Sequence, residues 1–98
     1  MNFRARKKDA NHAEVVRIFE AMGCSVLVLD VSTPGAPDLL VGRNGTDQLV
    51  EVKPDTKLKR HDLGPLQVKF RTRWRGRWVD VARNADDAVR IANGLGKR

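Results

Sequence analysis

Two carboxylates and one lysine lie close together in the middle of the chain, and their types suit chemistry assisted by a metal ion. Asp38 opens one apolar run, and Glu51 and Lys53 end another, with Val52 between them. Because side chains alternate along a strand, Glu51 and Lys53 would share one face while Val52 turns to the other. Carboxylate oxygens are the ligands that Mg²⁺ prefers, and a nearby ammonium group can orient water or stabilise charge on a phosphate.

An ordinary solvent-facing arrangement also fits these three residues. An Asp that follows Pro often forms a turn, and Glu51 with Lys53 could be an exposed ion pair worth about 0–1 kcal/mol. Against this, both carboxylates border runs that are otherwise apolar, in a strongly basic chain. We therefore interpret Asp38, Glu51 and Lys53 as a functional group of residues.

A β-hairpin is predicted to bring the two carboxylates together. Residues 38–41 and 48–53 are short apolar runs, and Asn44-Gly45 between them is a strong signal for a tight turn. The two predicted strands therefore pair antiparallel, which places Asp38 beside the end of the strand that carries Glu51.

The remaining predicted elements surround this hairpin. Residues 11–22 form a helix that ends at Gly23, with its apolar stripe at Val15, Ile18, Phe19 and Met22, and residues 24–31 form a buried strand. Loops at residues 32–37 and 54–64 flank the hairpin. The predicted order of the whole chain is αβββαβα, an α/β fold with a mixed sheet of about four strands flanked by helices.

The last third of the chain is predicted as helix, strand and helix. Residues 65–75 place Leu66, Phe70 and Trp74 on one helical face, and residues 77–83 alternate as a strand. Asn84 is the predicted N-cap of the final helix. Trp74 and Trp78 are interpreted as core residues, with stacking on unpaired bases as the alternative.

Length and composition are typical of one small globular domain spanning residues 1–98. The chain has 41% hydrophobic residues and one cysteine, Cys24, interpreted as a small buried residue. No apolar run approaches the roughly 20 residues that span a bilayer, and the basic N-terminus does not resemble a signal peptide. We therefore expect a cytoplasmic protein with no membrane contact.

A net charge of +7 and a pI near 10.3 favour a nucleic acid as partner, although a solvated basic surface is the alternative. The basic residues gather in an arm at residues 1–9, expected to be flexible, in a loop, and between residues 69 and 77. The residues expected to contact DNA are Lys7, Lys8, Lys57, Lys59, Arg60, Lys69 and Arg71.

Four stretches of the sequence together resemble the virus-type replication-repair nuclease (VRR-NUC) group of the PD-(D/E)xK superfamily, which is related to archaeal and phage Holliday-junction resolvases. They are residues 11–14 (NHAE), 34–42 (PGAPDLLVG), 49–53 (LVEVK) and 63–67 (LGPLQ). The resemblance extends from about residue 11 to residue 95 and implies a restriction-endonuclease-like core. The chain is similar to a minimal member with no additional domain.

The resemblance also implies roles for individual residues. In such a domain Asp38 and Glu51, joined by the carbonyl of Val52, bind Mg²⁺ or Mn²⁺, and Lys53 serves catalysis. Helix residues Glu14 and Gln67 are implied to border the same catalytic site.

The implied activity is hydrolysis of DNA phosphodiester bonds by an endonuclease in a bacterial or phage-infected cell. We expect a homodimer that acts on branched DNA such as Holliday junctions. A nicking or structure-tolerant endonuclease and a non-catalytic nucleic-acid-binding module are the alternatives.

Overall fold

In the part of the chain that the structure describes, seven helices and strands follow one another in the predicted order. A computed structural model describes residues 3–55 and 62–96, with side chains from Asn11 onward. The elements are α1 (Phe3–Ala21), β1 (Ser25–Val28), β2 (Leu39–Arg43), β3 (Thr46–Val52), α2 (Pro65–Arg73), β4 (Asp80–Ala82) and α3 (Ala85–Gly94). The predicted order αβββαβα is confirmed.

The four strands form one mixed sheet in the order β1-β2-β3-β4. The β1–β2 and β2–β3 pairs are antiparallel, and β3 pairs with β4 in parallel. Helix α2 lies in the connection between β3 and β4, as a parallel pair requires a crossover. The predicted α/β class and four-stranded mixed sheet are both confirmed.

The β2–β3 hairpin turns at the predicted Asn44-Gly45 pair. Both residues have left-handed backbones, with φ of 54° at Asn44 and 75° at Gly45, which is the conformation that a tight two-residue hairpin turn requires. The turn pairs Arg43 with Thr46, and the register then runs to Leu39 opposite Val50. The turn thus determines which side chains face each other along both strands.

Helices α1 and α3 supply the apolar side chains that pack on the sheet. Val15 and Phe19 of α1 are fully buried together with Val41 and Val50 of the sheet, and Ile91 of α3 is 4% exposed. Burial of this kind contributes about 1.5–3 kcal/mol for each large apolar side chain. The predicted apolar stripe of the first helix is therefore confirmed.

The cap of helix α3 is also as predicted. The Asn84 side-chain oxygen accepts a hydrogen bond of 2.9 Å from the backbone N–H of Asp87. Asp86 and Asp87 lie in the first turn, where negative charge is favoured by the helix dipole.

Helix α1 begins at Phe3, eight residues before its predicted start at residue 11. Most of the segment predicted as a basic arm at residues 1–9 therefore has a helical backbone. Within residues 3–55 and 62–96, no helix is both long and apolar enough to cross a lipid bilayer.

The prediction that residues 24–31 form a buried strand is wrong in two respects. Strand β1 covers only Ser25–Val28, and its residues Leu27 and Val28 are 58% and 56% exposed, as is Val31 after the strand at 54%. The reason is that β1 lies at the edge of the sheet, next to β2 alone among the described strands. A run of Val and Leu looks the same in sequence whether one face or two are covered.

The segment from α2 to β4 also differs from its prediction. No residue of α2 is buried, and Trp74 and Trp78 are 46% and 61% exposed, so their assignment to the core is wrong. The strand predicted at residues 77–83 shortens to Asp80–Ala82. The physical reason is that α1 and α3 already supply the packing of the core, and α2 lies against the sheet at its N-terminal end only.

Cys24 is buried, as predicted, at 7% exposure. Burial raises the pKa of its thiol above the ordinary value, and the nearby positive charge of Arg43 opposes that shift. Because only the thiolate reacts with alkylating agents, a raised pKa lowers the reactive fraction at any given pH.

Iodoacetamide is therefore expected to alkylate Cys24 more slowly in the folded protein than in the same protein unfolded in urea. The rate in the folded protein should also rise at a higher pH than in the unfolded chain. Mass spectrometry measures both rates in samples quenched between about pH 7 and about pH 10, a range that spans the usual pKa of a cysteine thiol. Equal rates of alkylation in the folded and the unfolded protein at about pH 8 would contradict a raised thiol pKa.

Candidate functional site

Asp38 is held against strand β3 by two hydrogen bonds. Its backbone N–H donates to the carbonyl of Val50 at 3.2 Å, and its carboxylate accepts from the N–H of Val52 at 2.8 Å. Its own carbonyl accepts from the N–H of Leu29 at 2.8 Å, which extends the β1–β2 pairing by one residue. The backbone on both sides of Asp38 is therefore fixed, and its side chain is positioned without depending on a flexible loop.

Glu51 lies between the two residues of β3 that Asp38 contacts. Continuing the register from Leu39 opposite Val50 places Asp38 directly opposite Glu51. Residues paired in this way point to the same face of a sheet. Glu51 is only 5% exposed and Asp38 is partly exposed, so the pair lies where the buried sheet meets the surface.

Gln67 of α2 completes this arrangement from the opposite side. Its side-chain oxygen accepts from the N–H of Gly64 at 2.9 Å, at the N-terminus of the helix. This leaves the side-chain nitrogen to donate to a carboxylate oxygen of Glu51 at 2.9 Å. Gln67 therefore fixes the orientation of the Glu51 carboxylate and links α2 to the sheet.

Lys53 follows β3 directly and is half-buried. Its backbone N–H donates to the carbonyl of Ala82 at 3.1 Å, and its carbonyl accepts from the side-chain nitrogen of Asn11 at 2.7 Å. Strand β4 and helix α1 thus fix the backbone of Lys53. By the alternation of strand side chains, Lys53 extends on the same face as Glu51.

The donor set at this point suits a hard divalent cation. Asp38 and Glu51 offer carboxylate oxygens on neighbouring strands, and Mg²⁺ is usually bound by one or two carboxylates with water and phosphate oxygens as further ligands. Among the described residues there is no group of three or more His, Cys, Asp or Glu side chains that could hold a metal. A cation here would therefore rely on the two carboxylates and on neutral oxygens such as the carbonyl of Val52.

The other predicted site residues lie on α1, on α2 or outside the described part of the chain. Glu14 is exposed on α1, one helical turn after Asn11, which is the α1 residue that contacts Lys53. Lys69 is exposed on α2, and Arg71 donates to the carbonyl of Val79 at 3.1 Å, which ties α2 to the segment before β4. Three predicted DNA contacts, Lys57, Lys59 and Arg60, lie outside the described residues, as do the side chains of Lys7 and Lys8.

Two residues with structural roles at the site were missed by sequence reasoning. Asn11 stands in the stretch NHAE that carried the family resemblance, but its contact with Lys53 joins residues 42 positions apart. Gly35 has φ of 78°, and a β carbon there would lie 2.2 Å from the backbone carbonyl oxygen of Leu66. The loop before Asp38 therefore contacts the backbone of α2 immediately before Gln67, and only a glycine fits at that point.

Among solved structures, the chain matches a VRR_NUC domain at 32% sequence identity with a TM-score of 0.60. The match covers 90% of this chain and 96% of that domain. Neither the models of known protein families nor the curated proteins give a match. The similarity in fold, the identity and the coverage place the chain in a family of nuclease domains with the restriction-endonuclease-like fold. It belongs to the VRR-NUC family, and the predicted family resemblance is confirmed.

The Gly35 contact predicts a specific loss of stability in a Gly35→Ala variant. Gly45→Ala is the matched control, because Gly45 also has a positive φ, of 75°, but no atom lies within 4 Å of the position its β carbon would take. Gly45→Ala should cost about 1–2 kcal/mol from backbone strain alone. Gly35→Ala should cost more, because the same strain is joined by a clash with α2.

Urea unfolding measures the free energy of unfolding of both variants. Equal losses in the two variants would mean that the loop and α2 do not contact each other as described.

Proposed function

We propose that this VRR-NUC domain is a divalent-metal-dependent DNA endonuclease that hydrolyses phosphodiester bonds at the site formed by Asp38, Glu51 and Lys53. The observation that carries the proposal is the buried Glu51 carboxylate, which lies opposite Asp38 and accepts a hydrogen bond from Gln67. Burying a carboxylate is costly unless it is compensated, and a protein retains such a group chiefly where it has a function.

Asp38, Glu51 and the carbonyl of Val52 are the groups proposed to hold Mg²⁺ or Mn²⁺. A bound cation of this kind supplies positive charge next to the phosphate and so offsets the negative charge that develops during hydrolysis. The Gln67 and Val52 N–H groups each donate to one carboxylate, which leaves both carboxylates fixed in orientation.

Lys53 is proposed to act on the phosphate and on the attacking water. Its ammonium group can donate hydrogen bonds to a phosphate oxygen and can orient the water for in-line attack on phosphorus. The water oxygen forms the new bond to phosphorus as the bond to the 3′ oxygen breaks, so the products are a 5′-phosphate and a 3′-hydroxyl. The proton released by the water passes to solvent or to the leaving oxygen.

DNA is the substrate that the charge of the chain favours. A net charge of +7 attracts a polyanion without reading its sequence, and the fifteen residues 65–79 contain five Lys or Arg and no acidic residue. Lys69, Arg71 and the basic residues outside the described part of the chain are proposed to contact phosphates. Glu14 is proposed to border the site from α1, as the family resemblance implies.

Replacing either carboxylate by its amide is expected to remove most cleavage. Asp38→Asn and Glu51→Gln keep the size of the side chains but remove the negative charge that would hold a cation, so cleavage should fall on the order of 100-fold or more. Lys53→Met should cause a loss of similar size with the carboxylates intact. Gel assays on plasmid and oligonucleotide DNA with Mg²⁺, with Mn²⁺ and with EDTA measure the effect.

Asp47→Asn is the matched control for Asp38→Asn, because Asp47 is exposed at the opposite end of the same hairpin. It should cut DNA as the parent protein does. Cleavage by Glu51→Gln at the parent rate, with the fold intact by circular dichroism, would show that the assigned site is wrong.

We further propose that the working form is a homodimer that cuts branched DNA such as four-way junctions. Resolving a junction requires two symmetric cuts, and a two-fold dimer supplies two sites from one chain. Strand β1 supports this proposal, because it is an edge strand that exposes Leu27 and Val28, and Val31 is exposed three residues after it. An exposed apolar edge strand is a ready template for pairing with another chain.

A charge placed on β1 is expected to separate the dimer. Val28→Asp should shift sedimentation at micromolar concentration from dimer to monomer and should abolish paired cuts on a fixed four-way junction. Val68→Asp is the matched control, because Val68 is also an exposed valine, at 49% against 56% for Val28, but lies on α2. It should remain dimeric. A parent protein that is monomeric and cuts linear duplex as readily as the junction would instead support a structure-tolerant or nicking endonuclease.

A further inference from the structure

A pocket of about 380 Å³ lies beside the candidate site, between the loop before Asp38 and one face of α2. Ligand pockets in proteins usually measure about 300–1,000 Å³. The pocket combines an apolar floor with two cationic side chains, and its lining residues are Thr33, Pro34, Leu66, Lys69, Phe70, Arg73 and Trp74.

The floor of this pocket is the helical stripe that the sequence predicted as core. Phe70 and Trp74 stack on each other with ring centroids 5.5 Å apart and an angle of 15° between the rings. Leu66, one turn earlier, is 56% exposed, and Trp74 is 46% exposed. A contiguous exposed apolar surface of this kind commonly marks a binding site. The floor is thus a preformed aromatic surface that remains partly exposed.

The rim of the pocket carries positive charge. Lys69 and Arg73 lie four residues apart on α2, and both line the pocket beside the aromatic stripe. The segment that carries them, residues 65–79, contains no acidic residue. A ligand that fits both features has a flat apolar part and a negatively charged part, which is the chemistry of a nucleotide.

The pocket and the candidate site share two walls. Pro34 lines the pocket, and Asp38 follows it by four residues on the same chain segment. Leu66 lines the pocket, and the next residue, Gln67, donates to Glu51. Consecutive residues of a helix point about 100° apart, so the pocket lies around the helix from the site and would not hold the phosphate that is cut.

We infer that this pocket binds one unpaired nucleotide of the DNA strand next to the cleavage point, with the base stacked on Trp74 and the phosphate held by Lys69 and Arg73. The inference rests on the proposed function, because it names the part of the substrate that would direct the nuclease to branched or single-stranded regions. In paired DNA the bases stack on each other, so a base reaches the pocket only where the duplex is interrupted.

Trp78 provides a contrast within the same segment. It is more exposed than Trp74, at 61%, but the Arg77 guanidinium covers its ring at 4.4 Å from the ring centroid. It lines a separate recess with Val68, Arg71 and Thr72 on another side of α2. Trp78 therefore serves as a control of the same residue type.

Tryptophan fluorescence tests the inference directly, because the chain has two tryptophans. Trp78→Phe leaves Trp74 as the only tryptophan, and Trp74→Phe leaves Trp78. In EDTA, where no metal-dependent cleavage occurs, short single-stranded oligothymidylate should quench Trp74 emission strongly. Trp78 emission should change little. Blunt duplex DNA at equal phosphate concentration should quench both tryptophans less than single-stranded DNA quenches Trp74.

Affinity gives a second readout that a loss of nuclease activity cannot mimic. Trp74→Ala should weaken binding of labelled single-stranded DNA about 10-fold, as expected for the loss of one base–aromatic stack. Its affinity for blunt duplex should stay close to that of the parent. Trp78→Ala should leave both affinities close to those of the parent, and urea unfolding confirms that both variants fold.

Several outcomes would overturn the inference. Quenching of Trp78 instead of Trp74 is one, and equal quenching of Trp74 by duplex and single-stranded DNA is another. A third is quenching of Trp74 by an acidic aromatic peptide and not by DNA, which would make the pocket a protein-docking site. Quenching of Trp74 together with no cleavage of any DNA supports the pocket and overturns the nuclease proposal. Cleavage of branched DNA with no quenching of Trp74 supports the nuclease proposal and overturns the pocket.

Discussion

The register of the β2–β3 hairpin is the constraint on which the candidate site depends. Because strand side chains alternate, a slip of one residue would turn Glu51 into the core and Val50 out of it. The Asn44-Gly45 turn fixes the register at one end of the hairpin, and the hydrogen bond from the Val52 N–H to the Asp38 carboxylate fixes it at the other. Asp38 lies opposite Glu51 because the turn and this hydrogen bond specify the same register.

Helix α2 connects this hairpin to the surface that would meet a substrate. Gln67 reaches from its first turn to Glu51, while Gly35 allows the loop before Asp38 to approach the backbone at Leu66 within contact distance. The first turn of α2 therefore contacts β3 and the loop that leads into β2. The rest of the helix has no buried residue, and its aromatic and basic side chains remain available for binding.

The packing of the segment after α2 shows how the fold tolerates so exposed a helix. Gln48 on β3 is 1% exposed, and its side chain binds the backbone carbonyl of Trp78 and the guanidinium of Arg77. Arg71 binds the carbonyl of Val79 from the helix side. Polar contacts to the main chain thus hold the segment between α2 and β4 where apolar packing was expected. The rings of Trp74 and Trp78 remain exposed to solvent.

The order of the elements, the hairpin and the positions of Asp38, Glu51 and Lys53 on it could all be predicted from the sequence. These follow from local rules: the period of apolar residues, the demand of a tight turn for positive φ, and the alternation of strand side chains. The stretches PGAPDLLVG and LVEVK also carried the family resemblance, which the structural match confirms. The roles of Asp38, Glu51 and Lys53 in catalysis remain predictions.

Which apolar faces are covered could not be predicted from the sequence, because it depends on how the helices pack on the sheet. Strand β1 and the stripe of Leu66, Phe70 and Trp74 have the sequence pattern of buried elements, yet both are half-exposed. A periodic pattern records that a face is apolar but not whether this chain, a second chain or a ligand covers it. Contacts between distant residues, such as Asn11 with Lys53 and Gly35 with Leu66, were equally hidden, because they depend on how helices pack across the sheet and not on any local spacing.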